Sequence, residues 1–402
     1  MGYNYAVLGS GRQGTATAYD LALFGQSDLI LMADLELAQA ERSAARVNKL
    51  VNSQVCKPEQ LNVKNPDAVV KLLTKHQIKA LISGVPYFFN PSLSKAAIQA
   101  GSSMCDYGGN TEVVRQQLGM ADQARAAGIT IIPDCGMAPG MANSLCAHAL
   151  SLLDEPRDLL IYDCGLPQKP KPPWNYVLTF SIEGLTNEYF GKTNVLRNGE
   201  HHQTNCFEEY EVLDFPEPIG QLEAFTTSGG VSTLPWTYYG KLRTVQNKTL
   251  RWPGHFVQWK AFQNAGLFEL EPVEVDGQNV VPRHVLHALI DPQIRAKESD
   301  RDMVIIRIIA RGLKEKKETE ITLDLFDYFD EKTGFTAMER ATGFHAGIMA
   351  ALMAQGKTAA GALTVETSVH PSVFLEEFNK RGFKVKTATR QLETKSTVGS
   401  TR

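Results

Sequence analysis

Gly9-Ser10-Gly11-Arg12-Gln13-Gly14 is a G-x-G-x-x-G run that follows the apolar stretch Tyr3 to Leu8 and opens a helical stretch, Thr15 to Phe24. In that context each glycine has a separate task. Gly9 permits a tight turn, Gly11 lets the backbone approach a pyrophosphate, and Gly14 lets the helix pack closely on the strand. The free N–H groups and partial positive charge of the helix start then face the phosphates, with Ser10, Arg12 and Gln13 around them. Asp34 lies 20 residues past Gly14, at the end of the next apolar run, where an acid hydrogen-bonds an adenosine ribose. A carboxylate there repels a 2′-phosphate, so the expected cofactor is NAD rather than NADP; Arg42 is the residue that could complicate this choice. The bland alternative is a glycine turn that serves packing only.

Three more segments carry reactive side chains. Gly84-Val85-Pro86-Tyr87 and Asp106 each end an apolar run, and Asp134-Cys135-Gly136-Met137-Ala138-Pro139-Gly140 follows another. In open α/β sheets ligands sit at the carboxyl ends of strands, which places all three on the ligand side. Asp106 fits a site role and a helix-capping role equally. Cys135 reads as a buried thiol. The other cluster is Lys248-Thr249-Leu250-Arg251-Trp252-Pro253-Gly254-His255, in which Arg251 suits a carboxylate and His255 suits proton transfer near neutral pH. A single histidine is more often structural, and the other histidines read as surface or core residues.

The elements that position these residues fall into two groups. Strand-like runs at 3–8, 29–33, 60–63, 80–83, 103–106 and 130–133 alternate with helical stretches at 15–24, 38–51, 67–76, 91–100 and 111–127. Such alternation implies a doubly wound parallel sheet with right-handed crossovers, a Rossmann-type α/β domain. After Pro139 the pattern changes to a helix at 141–153 and then many short strand-like runs, including 159–164 and a hairpin of 303–313 with 319–329. That block reads as an α+β domain with a mixed or antiparallel sheet. Helices at 336–355 and 373–381 and a strand at 383–385 return to the first domain. The expected division is therefore 1–138 with 340–386 as the dinucleotide-binding domain, 139–339 as the substrate and oligomerisation domain, and 387–402 as a disordered, Ser/Thr/Lys-rich tail.

Composition removes whole classes of function. The chain has 402 residues, 41 Lys+Arg against 44 Asp+Glu, and a net charge of −3, so a nucleic-acid partner that needs a basic face is not expected. No apolar run reaches 18 residues and no secretory leader opens the chain, so a cytoplasmic protein without a membrane span is expected. The six cysteines form no C-x-x-C pair and lack a histidine at zinc-ligand spacing, so neither metal nor disulfide is expected.

The order of these motifs resembles the saccharopine dehydrogenase (reductase-type) family. The resemblance runs over residues 3–386 and rests on Gly9 to Gly14 with Asp34, Val85-Pro86-Tyr87, and 134–143 with Asn143 at its end. Gly165-Leu166-Pro167, Asn175-Tyr176, Phe180-Ser181, Glu183-Gly184, Thr249 to His255 and Arg340 to Phe344 point to its L-lysine 6-dehydrogenase branch. The family's reductases tend toward G-L-D-P-G where this chain has Gly136-Met137-Ala138-Pro139-Gly140, which leans toward a smaller amine than saccharopine.

Membership implies NAD(P)-dependent oxidation at a C–N bond of an amino acid or amine, and a homodimer or higher homo-oligomer. For L-lysine, the side-chain amine would be lost to give a semialdehyde that cyclises. The resemblance and the residue types together nominate Asp106 and His255 as bases and Tyr176 as donor or relay. Arg251 is the partner of the substrate carboxylate, Asn143 or Asp106 holds the α-amine, and Tyr87 lines the site. Saccharopine or carboxynorspermidine dehydrogenase-type activity and a non-catalytic dinucleotide-binding protein are the alternatives.

Overall fold

The computed structural model describes residues 2–393. In chain order the first sheet and its helices comprise β1 (Tyr3–Leu8), α1 (Arg12–Phe24), β2 (Ser27–Asp34), α2 (Leu37–Val51), β3 (Cys56–Gln60), α3 (Pro66–Lys75), β4 (Ala80–Ser83), α4 (Asn90–Ala100), β5 (Ser103–Asp106), α5 (Thr111–Leu118), α6 (Ala121–Ala126) and β6 (Thr130–Ile132). The strands β1, β2, β4, β5 and β6 are short, apolar and buried, as a sheet covered by helices on both faces requires. They order as β3-β2-β1-β4-β5-β6 and all pair in parallel. The order reverses between β1 and β4, so a crevice opens at their carboxyl ends, where Gly9 and Gly84 lie.

The second sheet is built by the middle of the chain. After α7 (Met141–Ser151) come β7 (Glu155–Pro167), α8 (Ile182–Glu188), β8 (Lys192–Arg197), β9 (Glu200–Asn205), β10 (Glu211–Phe215) and β11 (Gly220–Phe225). There follow α9 (Leu234–Thr237), β12 (Thr244–Arg251), α10 (His255–Asn264), a hairpin of β13 (Val273–Val275) and β14 (Gln278–Val280), and α11 (Pro282–Ile294). The long hairpin β15 (Asp302–Lys314) and β16 (Lys317–Tyr328) completes the block. The sheet is mixed: β12 runs parallel to β7, and its other pairings are antiparallel.

The chain then returns to the first sheet. α12 (Ala337–Ala354) starts with a capping box, in which Thr336 accepts from the Glu339 amide and Glu339 from the Thr336 amide. Its glycines let it lie against α1: a Cβ on Gly343 would come within 2.7 Å of Ala16 Cβ, and one on Gly347 would strike Asp20. β17 (Gly361–Ala362) adds to β6 as a seventh parallel strand, followed by α13 (Val365–Ser368) and α14 (Pro371–Lys380). The buried Arg381 pairs with Asp20 at 2.6 and 2.9 Å and ties this return to α1.

Four expectations are corrected. The third strand occupies 56–60 rather than 60–63, because a polar edge strand containing Pro58 has no apolar alternation to mark it. The single helix expected at 111–127 is two, broken at Gly119-Met120. The last strand is β18 (Val385–Gln391), and it pairs with β16 in the second sheet rather than in the first. The tail expected to be disordered from 387 thus begins as strand; its remaining residues 394–402 lie outside the described ones.

Candidate active site

The glycine turn has the geometry its residues call for. Gly9 has φ +97°, and a Cβ there would lie 2.6 Å from the Gly84 carbonyl oxygen. A Cβ on Gly14 would sit 2.1 Å from the Gly9 carbonyl oxygen and 3.0 Å from Val7, so only glycine allows this approach of helix to strand. At Gly11 nothing lies within 4 Å of where a Cβ would be, which leaves open space above the start of α1. The positive φ at Gly9, the close contact at Gly14 and the open space at Gly11 are the conditions that a turn, tight packing and a ligand's approach require. Asp34 accepts from the Ser10 amide at 2.8 Å and from the Glu36 amide at 3.1 Å, so it clamps the turn while staying half-exposed at the strand end. Arg12 donates to Glu339 at 2.8 Å.

A cleft of about 400 Å³ opens over this turn. Gly9, Gly11, Arg12, Gln13, Gly14, Gly84 and Tyr107 form its floor, and Leu178 to Ser181 with Arg295 and Ala296 form the opposite wall. Among the described residues its charged lining consists of the arginines Arg12 and Arg295, which fits a polyanionic ligand. Tyr107 was not among the residues expected. Its hydroxyl shares a 2.7 Å hydrogen bond with Thr17, and its ring lies 2.9 Å from where a Gly84 Cβ would be. Val85, Pro86 and Tyr87 stand beside the cleft rather than on its lining; Tyr87 packs against Gly109.

Arg251, Tyr176 and His255 come together although 75 to 79 residues separate Tyr176 from the other two in sequence. The Arg251 guanidinium lies 5.3 Å from the Tyr176 ring centre, and the Tyr176 and His255 rings are 5.3 Å apart. Tyr189 joins them: it accepts from Arg251 Nε at 2.7 Å and shares a 2.8 Å hydrogen bond with His255 Nε2. Arg251 Nη1 donates to Thr249 and to the Leu250 carbonyl, and Nη2 reaches Glu188 at 3.4 Å. Burial opposes the Arg251 charge, but Tyr189, Tyr176 and Glu188 more than offset it, so the residue stays cationic. Burial and then Arg251 push His255 well below the ordinary imidazole value, and burial holds Tyr176 well above the ordinary phenol value. At neutral pH the histidine is neutral and the tyrosine is protonated.

Two acids missed in the sequence complete this cluster. Glu188, the last residue of α8, keeps 37% of its side chain exposed, yet burial raises its pKa to about 7 against the opposing pull of Arg251. Asp163 on β7 accepts from Asn247 and is raised to about 6, again by burial first. Nothing in their spacing singles them out; only the folded chain brings them to Arg251.

Asp106 and Asn143 do not have the freedom their expected roles need. Asp106 is fully buried, with Oδ1 accepting from the Gly108 and Asp134 amides and Oδ2 from Gln117. Burial raises its pKa and those bonds pull it back. It shapes the loops at the ends of β5 and β6. Asn143 accepts from the Gly140 amide at 3.1 Å and donates to Glu366 at 3.3 Å, which fixes the 136–140 turn. Cys135 and the five other cysteines are buried and free.

Two segments join the cleft to the cluster. Residues 176–188 run from Tyr176 in the cluster, through 178–181 in the cleft wall, back to Glu188. The loop 226–233 touches both sheets: the Ser228 amide donates to the Glu188 carbonyl, Gly230 packs on the Asn247 side chain, and Ser232 donates to Asp134 at the end of β6. Its Thr-Thr-Ser-Gly-Gly run was the available sequence signal.

A phosphate-cradling turn, a strand-end acid and a two-lobed cleft define a nicotinamide-dinucleotide-binding oxidoreductase. The family model for the saccharopine dehydrogenase NADP binding domain matches residues 5–132, and that for the saccharopine dehydrogenase C-terminal domain matches residues 136–383. The chain belongs to the saccharopine dehydrogenase family. It is similar to carboxyaminopropylagmatine dehydrogenase of Synechocystis sp., at 23% identity over 94% of this chain and 95% of that one. Carboxynorspermidine synthase of Vibrio cholerae is 22% identical over 85% of this chain and 87% of that one. Among solved structures, apo saccharopine dehydrogenase (L-Glu forming) from Saccharomyces cerevisiae shares the fold, with a TM-score of 0.77 at 18% identity over 97% of this chain and 100% of that one. No helix among the described residues is long and apolar enough to cross a membrane.

Proposed function

We propose that the protein is an NAD-dependent amine dehydrogenase that oxidises the C–N bond of an amino-acid side chain, with L-lysine as substrate and its 6-semialdehyde as product. The observation that carries this reading is Glu188: a part-exposed carboxylate with a pKa near 7, paired with the buried Arg251. An ammonium nitrogen has no lone pair to assist hydride departure, so a base must first take a proton. Glu188 meets that need better than the residues nominated from sequence. Asp106 has both oxygens engaged, His255 is held well below the ordinary imidazole value by burial and Arg251 with Nε2 bonded to Tyr189, and Tyr176 keeps its proton. Glu188 and Asp163 attract the cationic amine, and Glu188 takes its proton. Arg251 positions Glu188 through Nη2 and is itself held by Tyr189.

A dinucleotide held at the glycine turn would supply the hydride acceptor for the amine-bearing carbon. The remaining C=N bond is an imine, and water converts it to aldehyde and ammonia. Tyr176, protonated beside Arg251, serves as donor to the departing nitrogen. The carboxylate of Asp34 supports NAD over NADP, since it would repel a 2′-phosphate.

A second reading is supported by the names of the two relatives, which point to carboxylated polyamines and to a secondary amine at the reacting carbon. The same acids would then hold the polyamine. Purified protein with NAD⁺ and a panel of L-lysine, saccharopine and carboxynorspermidine, followed at the reduced-nicotinamide band with ammonium assayed in parallel, tests both. Ammonium release from lysine supports the first reading; turnover of a secondary amine alone replaces it with the second.

A further inference from the structure

The cleft wall facing the glycine turn carries a cation that no sequence motif marks. Arg295 follows the last residue of α11, and its backbone is fixed by an isolated bridge to Leu178 of the wall: the Leu178 amide donates to the Ile294 carbonyl at 2.7 Å and the Ala296 amide to the Leu178 carbonyl at 3.0 Å. Its side chain lines the cleft together with Gly9, Gly11 and Gly14 and is 53% exposed. Nε and Nη2 both reach a single oxygen, Oδ2 of Asp291, and among the described residues Nη1 donates to nothing. The other arginine of the cleft, Arg12, is paired with the nearly buried Glu339. Among the described residues no carboxylate lines the cleft, and Asp291 engages only Nε and Nη2 of Arg295.

We infer that Arg295 is a phosphate clamp: a guanidinium supplied by the second lobe that reaches across the cleft to the pyrophosphate of the dinucleotide held at the glycine turn. Arginine is suited to this because its planar fork can give two parallel hydrogen bonds to phosphate oxygens while the start of α1 serves the other side. Arg295 shares its cleft with the glycines and not with the Glu188–Arg251 cluster, so its partner is the cofactor and not the amine substrate. The inference is independent of which amine the protein oxidises.

The test is equilibrium binding, with no turnover needed. Dissociation constants are measured for the reduced dinucleotide that the wild type binds more tightly, for ADP-ribose, and for adenosine, by fluorescence or calorimetry. Arg295→Ala is expected to weaken the dinucleotide and ADP-ribose by roughly tenfold. Arg295→Lys should recover part of that loss, because it keeps the charge without the fork. Adenosine, which lacks phosphate, should bind all three forms alike, and this confirms that the variants fold. The inference is overturned if Arg295→Ala binds the dinucleotide within twofold of wild type, or if adenosine and ADP-ribose weaken equally. A raised KM for the amine with unchanged dinucleotide affinity would assign Arg295 to the substrate instead.

Discussion

Arg251 Nη2 lies 3.4 Å from Glu188 Oε2, and the pair is asymmetric: the arginine side chain is 3% exposed and the glutamate 37%. The cation is locked by Tyr189, Thr249 and Leu250, so the carboxylate is the partner that can leave to meet a substrate. Burial raises Glu188 to about 7, so it is ionised above that pH and protonated below it.

The first prediction follows from that ionisation. kcat/KM for the amine should fall as pH drops through about 7, because the protonated acid neither attracts the cation nor accepts its proton. Glu188→Gln should lose roughly 10²–10⁴-fold in kcat/KM and lack the acidic limb. A variant that keeps the limb removes Glu188 from the role of base.

Arg251 sets where that limb lies. Its charge pulls the Glu188 pKa down, so Arg251→Met should move the limb to higher pH by about one unit or more. The variant also leaves Tyr189 and Thr249 without their donor, so its melting temperature should drop and the pH profile must be taken well below it. A limb that stays in place would mean that Arg251 binds substrate without tuning Glu188.

The glycine turn offers a paired test. Gly11→Ala meets open space and should fold as wild type, yet weaken the dinucleotide by tenfold or more, since the new methyl occupies the phosphate approach. Gly14→Ala places its methyl 2.1 Å from the Gly9 carbonyl oxygen and should destabilise the fold by several kcal/mol. Thermal melts and binding titrations on the same samples separate the effects; normal affinity in Gly11→Ala would contradict the cradle.

These tests also mark how far the sequence could be read. The turn and Asp34 were legible because strand, glycines and helix are contiguous and each glycine obeys a local steric rule. Arg251, His255 and Tyr176 were legible as types, and the fold does bring them together. Their roles were not, because what each can do depends on neighbours such as Tyr189 and Glu188, which are chosen by tertiary packing. Asp106 shows the same limit: a strand-end acid looks reactive until its three donors are seen. The misread edges have one cause. Strands 56–60 and 385–391 are largely exposed and polar, so their pairing to β2 and β16 leaves no apolar period in the sequence.

Cofactor choice gives another measurable outcome. Asp34 should favour NAD⁺, and Asp34→Ser should shift the ratio of kcat/KM values toward NADP⁺ by about tenfold, because the repulsion of the 2′-phosphate is removed. The ratio is the useful readout, since loss of the Ser10 contact loosens both dinucleotides together. A wild type that prefers NADP⁺ would show that another residue outweighs this carboxylate.

The Asp134–Ser232 hydrogen bond joins the end of β6 to the loop over the second sheet, and burial of this carboxyl makes stability depend on pH. Burial raises Asp134 to about 8, outweighing the Ser232 bond, with Asp106 and Glu366 adding repulsion. A carboxyl in the unfolded chain titrates near 4, so between about pH 4 and 8 the folded state holds a proton that the unfolded state has lost. Stability from this group is therefore complete below pH 4 and is lost as pH rises to 8, at up to ~1.4 kcal/mol per pH unit. Asp163, Asp20 and Asp302, each raised to about 6, act in the same direction but finish titrating earlier. His345, lowered to about 4, acts in the opposite direction and is complete by the ordinary imidazole value. The window from pH 6.5 to 8 lies above those groups and takes in the titrations of Asp134 and Glu188. Asp134→Asn retains an acceptor for Ser232 and cannot ionise, so its denaturant midpoint should change much less over that window than the wild-type midpoint. Parallel curves for the two proteins would show that Asp134 is already ionised in the folded state.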